Sequence, residues 1–136
     1  MWQERARAVL RDGTAPQIEP TLGRWFTPPF RESHPEVVAE IAQLIRTTPP
    51  QGYAGCCNVI GELNLAGELR HVRAPTLVVA GSNDPGVPLD AAQLTAGSIP
   101  SARLEVIPNA AHLLTIEQAD TYNALLRQFL DSQPAR

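Results

Sequence analysis

Residues 74–88 read APTLVVAGSNDPGVP, and residues 102–112 read ARLEVIPNAAH. The first stretch opens on a short apolar run rich in β-branched residues. The first run is bounded by Pro75 and Gly81. A run of this length without polar alternation reads as a buried parallel strand, and ARLEVIP reads as a second short strand. SNDPGVP reads as a turn, and residues 89–97 as a helix with Gly97 near its end. NAAH reads as a loop. Beyond it, Thr115 and Gln118 have capping-box spacing, and Tyr122, Leu125, Leu126, Phe129 and Leu130 stripe one face of a final helix. Strand, helix, strand, helix in this order predicts a parallel pair joined by a right-handed crossover, and therefore an α/β fold.

That topology singles out two polar residues. Ligands and catalytic groups gather beyond the carboxyl ends of parallel strands. Asp84 follows the first strand by a few residues and His112 follows the second. Adjacent strands place their loops side by side, so an aspartate orienting a histidine base is one reading of the pair, two-thirds of a nucleophile–His–Asp triad. Plainer readings stand beside it. Aspartate before proline is a common turn residue, and His112 also suits a surface loop.

Upstream of residue 73 the pattern is helical. Trp2, Ala6, Val9 and Leu10 share one face of an opening helix that ends near Gly13. The next segment, TAPQIEPTLGRWF, carries Pro16, Pro20 and Gly23 and is expected to be broken or kinked, since an interior proline costs about 3 kcal/mol. TPPFRESHPE reads as a loop. Ser33 and Glu36 have capping-box spacing before a helix with Val37, Ile41, Leu44 and Ile45 on one face. TTPPQGY ends that helix, and a short helical stretch follows over residues 54–63.

Composition excludes several function classes. All 11 basic residues are arginine, which removes lysine Schiff-base and P-loop chemistry from these 136 residues. The net charge is −3 with scattered arginines, so a nucleic-acid partner is not expected. No apolar run reaches membrane-spanning length. Cys56 and Cys57 are adjacent, cannot make a disulfide framework, and fit a reducing, cytoplasmic setting. His34, His71 and His112 lie far apart without metal-ligand spacing, so no metal site is expected.

Residues 74–88, followed by IPSARLEVIPNAAHLLTIEQ, resemble the C-terminal part of α/β-fold hydrolases. RWFTPPF and TPPQGYAGCCNVI narrow the resemblance to 3-oxoadipate enol-lactonases, which open an enol-lactone ring in the β-ketoadipate route of aromatic catabolism. It covers about residues 2–130. The strand–Asp and strand–His words are shared by many such hydrolases, and TPPQGYAGCC is the more specific one. The resemblance implies an incomplete α/β-hydrolase fold: a helical cap segment over residues 1–69, then strand–helix–strand–helix of the parallel-sheet core over residues 70–136. It assigns Asp84 as triad acid and His112 as base. It places Trp2 and Trp25 at aromatic cap positions, with Trp2 the preferred pocket residue and ordinary packing the alternative for both. It implies a small lactone or ester substrate and no cofactor.

The resemblance also exposes a gap. Such hydrolases hold their serine in a Gly-x-Ser-x-Gly elbow. None of Ser33, Ser82, Ser98, Ser101 and Ser132 has that setting. Cys56 and Cys57 follow Gly55, but the resemblance puts them in a cap helix. The expectation is therefore a hydrolase half lacking its nucleophile, acting with an N-terminal half or within a homo-oligomer. The alternatives are an inactive truncated remnant and a non-enzymatic interaction module. An isolated two-stranded sheet is expected to leave apolar surface exposed.

Overall fold

A computed structural model describes residues 1–133. The chain divides into two compact units. One comprises Met1–Gly23 and Arg31–Asn64; the other comprises Arg24–Phe30 and the described residues 65–133.

The first unit is helical. Helix α1 spans Trp2–Asp12 and buries Ala6 and Val9. It packs on α5, Pro50–Glu62, where Ala54 and Cys57 are buried beside Trp2 and Tyr53. Between them run α2, Ile18–Trp25, whose last residues belong to the second unit, and α4, Pro35–Thr47. Leu10 and Leu44, expected on apolar faces, are exposed. Val9 and Ile45 are the buried residues of those turns.

Prolines explain where local expectations fail. A proline in a first helical turn forfeits no hydrogen bond, because the N–H there has no intrahelical acceptor. Pro16 sits in a 3₁₀ turn, Ala15–Gln17, and Pro20 is the third residue of α2. The expected break is thus a 3₁₀ turn running into an unbroken helix. Pro28 opens α3, Pro28–Ser33, where a loop was expected. Pro35 opens α4 after His34, so Ser33 ends one helix rather than capping the next with Glu36. Pro50 starts α5 four residues before the expected position.

The second unit carries the sheet. β1, Leu77–Gly81, pairs in parallel with β2, Arg103–Ile107, in the register Leu77↔Arg103 to Gly81↔Ile107. Helix α6, Leu89–Ser98, connects them. β1 is only half-buried over Leu77–Val79 and becomes buried at Ala80 and Gly81, so full burial holds only at its carboxyl end. Ile107, Ala110 and Leu114 form the core there, with Val79, Tyr122 and Leu125 against it. Burying a residue such as Ile107 contributes about 1.5–3 kcal/mol. The last helical run divides into α7, Leu114–Glu117, and α8, Ala119–Asp131. Leu113 precedes α7 and makes no side-chain cap, so the Thr115–Gln118 capping box does not form. Gln118 instead breaks the run with φ −131° and ψ 46°. Among the described residues no helix is long and apolar enough to cross a membrane.

Candidate active site

The strand register aligns the carboxyl ends of β1 and β2, so the chain leaves Gly81 and Ile107 side by side. The two exits are then stitched together. Ser82 N–H donates to the Ile107 carbonyl at 2.9 Å and Asn83 N–H to the Ala110 carbonyl at 2.9 Å. Asn109 N–H donates back to Ser82 Oγ at 3.0 Å. Asn109 adopts φ 54°, a left-handed conformation that asparagine tolerates better than most residues. Gly81 is required by close approach: a Cβ there would lie 2.4 Å from the Ala110 carbonyl oxygen and 2.5 Å from that of Ala111.

This stitching brings Asp84 and His112 together. His112 Nδ1 and Asp84 Oδ2 are 2.8 Å apart. The Asp84 side chain is 7% exposed and that of His112 is 41% exposed. Asp84 Oδ1 accepts the N–H groups of Gly86 at 2.7 Å and Val87 at 3.1 Å. The aspartate is thus both the turn residue and the histidine's partner. A carboxylate only accepts, so Nδ1 carries a hydrogen, and in the neutral imidazole the lone pair is then on Nε2. Both residues line a concavity of about 240 Å³ with Val79, Ala80, Val87 and Ala92.

Trp25 stacks on His112, with ring centroids 6.5 Å apart and planes inclined by 22°. The Leu113 N–H donates to the Trp25 carbonyl at 2.9 Å. Trp2 belongs to the first unit, where it contacts Ala6, Ala54 and Cys57 and carries the Arg5 guanidinium over its ring at 4.9 Å. Cys56 is exposed and Cys57 buried. Burial pushes the Cys57 thiol up; Arg5 opposes this and Cys56 reinforces it. A raised thiol is a poor nucleophile.

Sequence reasoning missed Glu117. It is a buried carboxylate, 9% exposed, and accepts hydrogen bonds from Ala111 N–H at 2.7 Å, Thr27 N–H at 3.0 Å and Thr27 Oγ–H. The available signal was weak: an acidic residue on the apolar side of the run after His112. Its partner Thr27 lies 90 residues away, beyond the reach of local patterning. Among the described residues, no three His, Cys, Asp or Glu side chains gather as a metal site would require.

Comparison with known proteins bears on this geometry. The α/β hydrolase fold family matches residues 2–119. The chain is 33% identical over 132 residues to 3-oxoadipate enol-lactonase 2 of Acinetobacter baylyi, covering 94% of this chain and 49% of that protein. Its structure resembles the enol-lactonase from Burkholderia xenovorans with a TM-score of 0.94 at 30% identity, covering 97% of this chain and 50% of that one. A thermophilic esterase from Thermogutta terrifontis matches with a TM-score of 0.85 at 28% identity, over 96% of this chain and 48% of the esterase. The chain spans about half the length of the curated relatives it matches, corresponding to the C-terminal half of the enol-lactonases.

Proposed function

The chain belongs to the α/β-hydrolase fold family, and from that premise we propose that it supplies the acid and base of an ester or lactone hydrolase of the enol-lactonase type. The supporting observation is the 2.8 Å contact between His112 Nδ1 and a buried Asp84 whose other oxygen is already occupied by two backbone donors. That arrangement leaves Nε2 as the group able to take a proton.

In this reading the nucleophile is a serine outside these 136 residues, because no serine here stands in a Gly-x-Ser-x-Gly setting. The serine oxygen attacks the lactone carbonyl carbon while Nε2 of His112 removes its proton. The tetrahedral intermediate collapses, the ring C–O bond breaks, and the leaving oxygen takes the proton from His112. Water then attacks the acyl-enzyme, again through Nε2, and the serine leaves with its proton restored. Asp84 holds the tautomer and stabilises the imidazolium in both halves. No cofactor takes part.

Residues 1–69 act as the helical cap in this proposal. Of the two tryptophans, the stacking on His112 favours Trp25 as a wall of the substrate site. The enol-lactone of 3-oxoadipate, named in the relatives, is the first substrate to offer, which would place the enzyme in aromatic catabolism. The chain alone is expected to be silent.

The test is a fusion of the N-terminal half of the Acinetobacter enol-lactonase to this chain, compared with its His112→Ala variant and with the unfused chain. The expected result is lactone hydrolysis by the fusion only. A cooperatively folded fusion that leaves the lactone intact would overturn the proposal. Hydrolysis by the unfused chain, lost on His112→Ala, would show that a nucleophile or activated water exists within the chain itself.

A further inference from the structure

We infer that Glu117 is a positioning residue for His112, a role that rests on His112 being the base proposed above. Three hydrogen-bond donors from two distant stretches converge on this carboxylate. Oε2 takes the N–H of Ala111, the residue immediately before His112, at 2.7 Å. Oε1 takes the N–H of Thr27 at 3.0 Å and the Thr27 hydroxyl. On the other side of His112, Leu113 N–H bonds directly to the Trp25 carbonyl at 2.9 Å. Both chain neighbours of the histidine are therefore tied to residues 25–27, one directly and one through Glu117. The same segment carries the indole stacked on the imidazole.

This geometry leaves His112 little freedom. Its ring lies with Trp25 stacked on it at 6.5 Å and Asp84 on Nδ1 at 2.8 Å. Release of the Ala111 anchor would free the loop at Gly81, where the absence of a Cβ is what makes room for the Ala110 and Ala111 carbonyls. The chemistry of the site calls for a carboxylate. It accepts on both oxygens, whereas an amide must aim a donor at one of the three donors. A buried N–H left facing another donor costs the full desolvation of that group.

The test is proton NMR on the full 136-residue chain, with the His112 signals assigned by their loss in His112→Gln. Wild type is expected to show a slowly exchanging His112 Nδ1–H resonance and cross-peaks between the Trp25 and His112 rings. Glu117→Gln is expected to lose both, while the Gly86 and Val87 amides held by Asp84 keep their positions. A folded Glu117→Gln chain that retains both signals overturns the role, and so does their absence from wild type. If Glu117→Gln fails to fold, Thr27→Val removes one of the three donors: weakened signals support the role, and unchanged signals overturn it. None of these readings requires turnover. Failure of the hydrolase proposal would appear in the fusion assay instead, and the two failures are distinguishable.

Discussion

Asp84 uses its two carboxylate oxygens for different tasks. Oδ1 closes the turn through Gly86 and Val87, and Oδ2 faces His112. Asparagine could keep the first task and would fail at the second. Its amide group would face Nδ1 as a donor, drive the hydrogen to Nε2, and leave no lone pair for the serine proton. In the active fusion, Asp84→Asn is therefore expected to lower kcat by about 10⁴-fold with the turn intact, as when a triad aspartate is neutralised elsewhere. A loss below tenfold, measured at saturating lactone, would count against Asp84 as the orienting acid. Cys56 is exposed, whereas burial raises Cys57 and disfavours its thiolate. Iodoacetamide near neutral pH should modify Cys56 first and Cys57 only on unfolding or as pH rises through its elevated range; equal rates by mass spectrometry would contradict this. Asp84 and His112 were legible because a residue just past the carboxyl end of a parallel strand has a fixed place. Glu117 was not, because its role exists only once Thr27 has folded back onto it.

Elements were legible where burial sets the pattern and illegible where a first turn does. The apolar run at residues 77–81 and the stretch RLEVI became β1 and β2, since neither could satisfy its backbone alone. Before residue 60, each misplaced helix start traces to a proline whose first-turn position made it harmless, whereas the missing Thr115–Gln118 cap traces to Gln118 leaving the helical conformation. Two glycines show how elements constrain residues in opposite senses. Gly81 ends β1 against the backbone of the histidine loop, so Gly81→Ala must push that loop away. An expected cost of about 1–3 kcal/mol follows from overpacking, together with loss of the His112 Nδ1–H resonance. Gly55 lies inside α5 with nothing within 4 Å of a built Cβ. Gly55→Ala should instead stabilise the chain by about 0.5–1 kcal/mol through backbone entropy. Urea unfolding of both variants checks the pair, and equal signs would refute the contrast.

Across the molecule, the governing fact is a parallel sheet that has two strands among the described residues, in a chain spanning about half the length of the relatives it matches. Parallel sheets are stable when both faces are covered, and two strands alone are marginal. In the second unit the consequence is visible as incomplete burial. Leu77, Val78 and Val79 of β1 are half-buried, and Leu94 of α6, Val106 of β2 and Leu130 of α8 are exposed. Apolar groups left in water this way forgo about 25 cal/mol for each Å² that a covering surface would remove. If the proposed N-terminal half supplies that surface, fusing it to the chain must do more than add a serine. It should raise the urea midpoint of the Tyr122- and Leu125-lined core and reduce binding of a hydrophobic dye relative to the unfused chain. The same fusion carrying serine→alanine at its Gly-x-Ser-x-Gly elbow should show both changes without hydrolysis, because covering the sheet and completing the triad are separate contributions. A fusion that hydrolyses lactone yet binds as much dye and unfolds at the same urea concentration as the unfused chain would show that the exposed face belongs to some other surface, and the association of the halves would then have to rest on contacts away from the sheet.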